Sequence, residues 1–241
     1  METDRFRVGD SPVLKATVGN GKIEVLVGNP GEIDVEATLV GVESIIYEAF
    51  TDGGNVTVRA ETERGARANL VIRAPVGTIV EAVTGNGTVD VTGIPGVRKV
   101  VSGNGRVTIT GADSDLTVTT GNGAISVSES TGRFDLTTGN GAITLDASGE
   151  FDLLSGNGSI KYGGELAPGA RNRAISGNGS IDLLLLGTPN VTLDLETDRG
   201  EVSNQLGGTA TFASEKEYRG VLGDGSASLQ ARSGNGSIVV R

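Results

Sequence analysis

The stretch Gly85-Asn86-Gly87-Thr88-Val89-Asp90-Val91 decides the fold, because the Gly-Asn-Gly tripeptide that opens it recurs along the chain. The eight copies in 241 residues begin at Gly19, Gly85, Gly103, Gly121, Gly139, Gly156, Gly177 and Gly234. From Gly85 onward the steps between copies are 18, 18, 18, 17, 21 and 57 residues. A short fixed period is typical of one structural unit stacked on itself, so the repeat predicts a solenoid.

The residues after each tripeptide predict strands. One variable residue is followed by an apolar, a polar and an apolar residue, as in Val107-Thr108-Ile109. Later in each repeat a second apolar pair appears two residues apart, such as Phe134 and Leu136. This alternation places one face of each strand in a core. We therefore predict an all-β fold, a single-stranded β-helix (β-solenoid) with about 18 residues per coil, parallel stacked strands and irregular capped ends. A two-sided roll and a flattened three-sided helix both fit this pattern.

The tripeptide itself predicts a sharp corner. Gly and Asn adopt positive φ at the lowest cost, and Asn side chains of adjacent coils can bond to one another in an internal ladder. A phosphate-binding glycine-rich loop is the functional alternative, but such loops occur once, between a strand and a helix. The predicted structural turn ladder consists of Asn86, Asn104, Asn122, Asn140, Asn157 and Asn178.

The spacing also predicts how the chain is organised. We expect one β-solenoid domain over residues 1–241, with irregular N-terminal coils and a cap over 1–80. Regular Gly-Asn-Gly coils follow over 81–183, and degenerate C-terminal coils over 184–241. The 21-residue step predicts a bulging loop over 163–173. Residues 205–219 look irregular, and residues 44–50 fit either a strand or one helical turn.

Composition excludes several functions. The chain has 20 basic and 30 acidic residues, a formal net charge of −10, which argues against nucleic-acid binding. It has no cysteine and no histidine, so it lacks thiolates and the usual general base. The residue after each regular tripeptide is Thr, Arg, Ala or Ser and not the Asp of a calcium roll. We predict no catalytic residue, no cofactor, and no metal ligand.

The remaining polar candidates are weak. We expect the acidic side chains of the regular coils to be solvated individually, with no two carboxylates at neighbouring coil positions; they are Asp113, Asp115, Asp135, Asp146 and Asp152. Phe134, Phe151 and Tyr162 fall in inward positions, which leaves few exposed aromatics for stacking on sugars. Four arginines could contact acidic glycans, although solvated loop charges are the simpler interpretation: Arg64, Arg67, Arg171 and Arg173.

The repeats resemble a known family. Three strings carry the resemblance: 83–91 (VTGNGTVDV), 119–125 (TTGNGAI) and 175–181 (ISGNGSI). They are similar to the putative-adhesin family of bacteria and archaea, a β-helical domain of unknown function that overlaps with auto-transporter adhesin heads. The segment 70–77, a short strand followed by Pro75, and the closing segment 223–238 extend the resemblance over nearly the whole chain. The resemblance implies a prokaryotic β-helix and brings no catalytic residues.

We therefore expect a non-enzymatic, adhesin-like scaffold or binding module of the cell envelope. The alternatives are a self-assembling structural element like the bactofilin filaments and a polysaccharide-active enzyme. The expected partners are a protein or polysaccharide surface, and a second copy through solenoid ends or edges; nucleic acid and direct membrane insertion are not expected. Localisation stays open: the resemblance favours the envelope or the exterior, while residues 1–10 lack a signal-peptide pattern, which allows the cytoplasm.

Overall fold

The computed structural model of the protein describes residues 1–63 and 65–241 and shows an all-β chain. Strands account for about two-thirds of it, and most of them pair in parallel, as the alternation predicted. Within the described residues, helix is limited to one 3-10 turn, Val42–Ser44. The chain divides into two compact units, an N-terminal unit, Met1–Gly121, and a C-terminal unit, Asn122–Arg241. The domain boundaries drawn from the spacing stay a prediction.

The strands are short because each alternating run is closed by a corner or a turn. Those of the N-terminal unit are β1 (Glu2–Arg7), β2 (Val13–Asn20), β3 (Ile23–Val27), β4 (Glu32–Val40), β5 (Ile45–Asp52), β6 (Asn55–Thr62), β7 (Arg67–Ala74), β8 (Ile79–Asn86), β9 (Val89–Thr92), β10 (Val97–Ser102), β11 (Val107–Thr110) and β12 (Leu116–Thr120). Those of the C-terminal unit are β13 (Ile125–Thr138), β14 (Ile143–Ser155), β15 (Ile160–Gly164), β16 (Arg171–Ser176), β17 (Ile181–Leu185), β18 (Val191–Arg199), β19 (Val202–Asn204), β20 (Thr209–Ala213), β21 (Glu217–Leu222), β22 (Ala227–Asn235) and β23 (Ile238–Val240).

In the N-terminal unit the strands form two ladders. Ladder I runs in the order β5-β6-β2-β8-β10-β12, and all of its strands except β5 precede a corner. Ladder II runs in the order β1-β4-β7-β3-β9-β11, and all of its strands except β1 and β4 follow a corner. The pairs with β5, β1 and β4 are antiparallel and the others parallel. The layer made of β2 and β3 is therefore inserted between β6–β7 and β8–β9, out of sequence order.

The C-terminal unit repeats this plan with another chain order. Its ladder I runs β13-β14-β16-β22-β18-β21-β20, with antiparallel pairing at β21 and β20. Ladder II runs β13-β14-β15-β17-β23-β19 and is parallel throughout. The long strands β13 and β14 pass through both ladders, with a register shift between Val127 and Ser130. Here β22 and β23 form the inserted layer, between β16–β17 and β18–β19.

The core is a set of aliphatic columns, because equivalent inward residues face the same side in every layer. One column of ladder II in the C-terminal unit reads Ile125, Ile143, Ile160, Ile181, Ile238, and all five side chains are buried. Burying an isoleucine contributes about 1.5–3 kcal/mol, so such columns provide the main stabilising term. Phe134, Phe151 and Tyr162 are also buried, as expected, and the rings of Phe151 and Tyr162 lie 4.4 Å apart.

Residues 44–50, for which a strand and one helical turn were both expected alternatives, are mostly strand, within β5. The loop expected over 163–173 is corrected to 165–170, between β15 and β16. Residues 205–219 contain the antiparallel hairpin of β20 and β21. The sequence missed this hairpin because β20 is exposed along its whole length and so lacks an alternating pattern.

The reason for glycine at the corners also differs from the prediction. Outside Arg64, Glu129 is the one residue other than glycine with positive φ, so the corner asparagines are not strained. Glycine is required instead by close approach of stacked backbones: a Cβ on Gly105 would lie 1.8 Å from the carbonyl oxygen of Gly87. The same contact recurs at Gly158, 2.0 Å from the oxygen of Gly141.

Candidate functional site

The predicted asparagines are brought together in each unit. In the N-terminal unit Asn104 Nδ2 donates to Asn86 Oδ1 at 2.7 Å, Asn86 donates to Asn20 at 2.8 Å, and Asn20 donates to Thr62. In the C-terminal unit a chain of bonds of 2.5–2.7 Å joins Asn235, Asn178, Asn157, Asn140 and Asn122. The corner asparagines of these bonds are exposed, except for the half-buried Asn20, whereas an internal ladder was expected. Water competes for exposed bonds, so each contributes modestly.

A second ladder, of hydroxyl groups, was not predicted. The Ser or Thr before each corner is buried and donates to the carbonyl oxygen of a corner glycine in a neighbouring layer. Ser155 Oγ donates to Gly141 at 2.8 Å, and Ser176 Oγ to Gly158 at 2.8 Å. The signal lies in the sequence, since seven of the eight tripeptides follow Ser or Thr, and Val18 is the exception. These bonds satisfy the carbonyl oxygens of the corner glycines, so the hydroxyl ladder has a structural role.

The concave site of the C-terminal unit lies on the outward face of ladder I. It is a groove of about 580 Å³, lined by side chains of β13, β14, β16, β18 and β22. Two rows of outward residues cross it, because residues in register on parallel strands lie side by side. The first row consists of two sets in register, Arg133 with Glu150 and Arg171 with Ser228 and Thr192, which line the groove together. The second row reads Asp152, Arg173, Gln230, Asp194.

The strand arrangement explains why the groove forms here. The ladder register between β14 and β16 begins only at Asp152 and Arg173. One residue earlier the buried Asn172 replaces the missing backbone bonds: its Oδ1 accepts from Phe151 N at 3.1 Å. Its Nδ2 donates to the carbonyl oxygen of Ser228 at 3.2 Å. The regular ladder between the two strands therefore stops here, and Ser228 and Thr192 contribute short side chains to the lining of the groove.

Most charges in the groove are paired. Arg133 Nη1 lies 3.2 Å from Glu150, and Arg173 Nη1 lies 3.4 Å from Asp152. Asp194 Oδ2 lies 3.2 Å from Arg232 Nη2 and accepts from Gln230 at 3.2 Å. These ion pairs are solvent-accessible, so each contributes about 0–1 kcal/mol to the free energy of unfolding. In contrast, Arg171 is exposed and has no acidic partner in the part of the chain that the structure describes.

The expectation that no two carboxylates lie at neighbouring coil positions is wrong. Asp135 and Asp152 are in register on adjacent strands, because the 17-residue step keeps the two coils aligned. Both sit on an open sheet face and Asp152 faces Arg173, so the pair lacks the enclosed acid that general acid catalysis requires. Of the other candidates, Asp113, Asp115 and Asp146 are exposed, Arg67 is exposed in β7, and Arg64 lies outside the described residues.

One tyrosine in each unit has a raised pKa, and the two hydroxyls differ in their surroundings. Tyr47 Oη donates to Asp4 Oδ2 at 2.6 Å, and burial together with this carboxylate raises the pKa of Tyr47. Burial also raises the pKa of Tyr162, whose hydroxyl has no hydrogen-bond partner among the residues that the structure describes.

Across residues 1–63 and 65–241, no cluster of three acidic side chains could hold a metal ion. Over the same residues, helices of the length and hydrophobicity needed to cross a bilayer are not found.

Comparisons with known proteins find likeness in structure only. No family model matches the chain. No curated protein matches it significantly. A putative cell adhesion protein from Clostridium sporogenes aligns over 99% of this chain and 98% of its own, at 11% identity and a TM-score of 0.29. A putative adhesin from Bacteroides fragilis aligns over 100% of this chain and 96% of its own, at 12% identity and a TM-score of 0.36. At these values the likeness carries no argument about function.

Proposed function

We propose that the protein is a non-enzymatic, adhesin-like binding module whose ladders are the coils of a single-stranded β-helix with about 18 residues per coil. The observation that carries the proposal is the groove on ladder I, an open polar site with fixed rows of side chains. Its carboxylates face arginines, so the site offers recognition groups and no free acid–base pair. The asparagine ladder is assigned a structural role, holding the corners in register.

The expected partner is a polysaccharide or protein surface, and the expected location is the cell envelope. The Gly-Asn-Gly strings that resemble the adhesin family support this location. The acidic chain argues against nucleic acid as the partner. Repetitive rows of polar side chains on a stiff sheet suit weak contacts that add up on a repetitive surface.

The proposal is tested by measuring binding of the purified chain to immobilised polysaccharides and to whole prokaryotic cells. We expect saturable binding without any change in glycan length, as followed by chromatography of the glycan. Shortening of the glycan would replace the proposal with the enzyme alternative. Absence of binding to every surface would contradict it.

Self-assembly is the second candidate, and strand β20 favours it. All five residues of β20 are exposed, none is charged, and the strand pairs along one edge with β21. Unprotected edges of this kind invite pairing with another chain. Light scattering across a concentration series tests this function, with Thr211→Pro as the variant that blocks edge pairing. Growth of mass with concentration that Thr211→Pro abolishes would support a filament; a constant monomer mass would exclude it.

A further inference from the structure

We propose that the groove around Arg171 binds the carboxylate of an acidic polysaccharide in which uronic acids alternate with neutral sugars. The inference rests on the proposed function and names the ligand class of the same site. It starts from the volume of about 580 Å³, which is within the range of small-ligand sites and is enough for two or three sugar rings at most.

Arg171 supplies the anion-binding group. It is exposed, lies in the first row, and has no carboxylate partner in the described chain, unlike the two other arginines of the groove. A guanidinium presents a planar fork of donors that matches a carboxylate with two parallel hydrogen bonds. The chain carries a net charge of −10, so its overall electrostatic potential repels anions. The unpaired Arg171 makes the groove a place where an anion is attracted instead.

The neighbours of Arg171 supply hydroxyl and amide groups. Ser228 is its register partner on β22, and Thr192 is the register partner of Ser228 on β18. Gln230 follows in the second row with its amide bonded to Asp194. Ser and Thr hydroxyls both donate and accept, so they complement the hydroxyls of a sugar ring. Ser228 lies next to Arg171 in the sheet, with Thr192 beyond it, so these hydroxyls line the groove together with the arginine.

The acidic residues of the groove limit the charge density of the ligand. Glu150 flanks Arg171 in the first row, and Asp152 and Asp194 lie in the second row. A polyanion charged on every unit would place its second negative charge against one of these carboxylates. A chain with one carboxylate in every two sugars meets Arg171 once and presents neutral hydroxyls to the remaining positions. The alternation of charged and neutral sugars is therefore the pattern that the groove fits.

Two features set the expected strength of binding. The groove offers no exposed aromatic ring for stacking on a sugar, and its single unpaired cation contributes one charge-assisted interaction. We therefore expect weak binding per site, in the high-micromolar to millimolar range that corresponds to about −4 to −6 kcal/mol. Binding should weaken as salt rises, because the arginine is exposed.

The test uses the full chain and three probes: hyaluronan oligosaccharides, which alternate a uronic acid with a neutral sugar, polygalacturonate, which is charged on every unit, and neutral dextran. Nuclear magnetic resonance titration or calorimetry should show binding of the first probe ahead of the other two. Arg171→Gln should weaken binding of hyaluronan at least tenfold. The matched control is Arg98→Gln, which removes an exposed arginine of the N-terminal unit and should leave binding unchanged.

Each result supports or contradicts binding of the polysaccharide at the Arg171 groove. Equal affinity of Arg171→Gln and the unsubstituted chain would overturn the groove assignment, as would stronger binding of polygalacturonate or dextran. Binding of the chain to cells or other glycans that does not depend on Arg171 would overturn the ligand class while leaving the proposed function standing. Failure of the chain to bind any surface would overturn both. Arg171 is exposed, so melting temperatures of the variants should match and confirm that folding is intact.

Discussion

The two units insert a layer in the same way but at different points of the sequence. In the N-terminal unit the inserted layer is β2 and β3, and the edge strand β1 precedes it. In the C-terminal unit it is β22 and β23, the last strands of the sequence. Both inserted layers carry an intact Gly-Asn-Gly corner, at Gly19 and Gly234. The layers placed outside them, β6–β7 and β18–β19, have degenerate corners and pair on their outer side only with the antiparallel strands β5, β4 and β21, so the tripeptide marks a layer with parallel neighbours on both sides.

Glycine explains this association. A corner glycine allows a neighbouring corner to stack closely: a Cβ on Gly21 would lie 1.9 Å from the carbonyl oxygen of Ala68, and a Cβ on Gly236 would lie 2.5 Å from that of Gly179. The outer corner between β18 and β19 keeps one such glycine, Gly200, whose Cβ would lie 2.5 Å from the carbonyl oxygen of Gly236, but it lacks the full tripeptide. The corner sequence, more than the position along the chain, therefore indicates which layers have parallel neighbours on both sides.

The largest expected loss of stability comes from deleting an inserted layer, and deleting an edge strand is the comparison. Deleting residues 227–241 removes Leu229, Ile238 and Val240 from the core and leaves β18 and β19 without parallel partners. We expect a loss of about 5 kcal/mol and unprotected amides over 191–222, measured by denaturation and hydrogen exchange. Deleting residues 1–7 removes β1 from β4, together with the Asp4 carboxylate that Tyr47 bonds, and should cost about 2 kcal/mol. Equal losses from the two deletions would contradict the distinction.

The next effect tests whether the corners of the two units are equivalent. Gly87→Ala and Gly158→Ala each place a Cβ within about 2 Å of a carbonyl oxygen, at 1.8 and 2.0 Å. Both should destabilise by about 1–3 kcal/mol, because the stacked backbones must separate. Thermal melts of the two variants are compared with Gly9→Ala, whose Cβ meets no atom within 4 Å. A large effect at only one corner would show that the units stack differently.

The asparagine ladder should respond to loss of a donor. In Asn140→Asp the carboxylate still accepts from Asn157 but can no longer donate to Asn122 Oδ1. We expect a loss of about 1 kcal/mol near neutral pH, and a similar loss for Asn86→Asp in the other unit.

Acidification is the control for this pair of variants. The new carboxyl faces an acceptor oxygen, which raises its pKa in the folded state above the unfolded value of about 3.9. The neutral acid can donate, so its stabilising contribution is complete below the unfolded pKa and disappears as pH rises through the folded pKa. Denaturation curves from pH 3 to 7 should show this recovery; a loss independent of pH would mean that donation is not the cause.

The smallest effects should have opposite signs in the two units. Tyr47→Phe loses the bond to Asp4 and should destabilise by about 1 kcal/mol. Tyr162→Phe removes a buried hydroxyl that has no hydrogen-bond partner in the described part of the chain, and it should be neutral or stabilising by up to about 1 kcal/mol. Chemical denaturation of the two variants measures the difference. Destabilisation by Tyr162→Phe would mean that its hydroxyl is bonded after all.

The sequence predicted the strands and their parallel pairing well because both depend on local alternation, as in Val107-Thr108-Ile109. It did not predict the inserted layers, since the pairing of Ile23 with Val89 joins residues that no local pattern connects. The groove was missed for the same reason: Arg171, Ser228 and Thr192 become neighbours only through the insertion of β22. The hydroxyl ladder could have been predicted from the Ser or Thr before each tripeptide, whose burial follows from the inward alternation.

The inserted C-terminal layer has a consequence for synthesis on the ribosome. Strands β16 and β18 leave the ribosome before β22, and both have edges that only β22 finally occupies. Until then β18 could pair directly with β16, which would close the gap and exclude the final strand. A nascent chain must keep these two strands apart, or separate them again, before β22 can pair with both. We expect the insertion of β22 to be slow. Before it, the intermediate exposes unpaired strand edges and is prone to aggregation, so it is a substrate for chaperones.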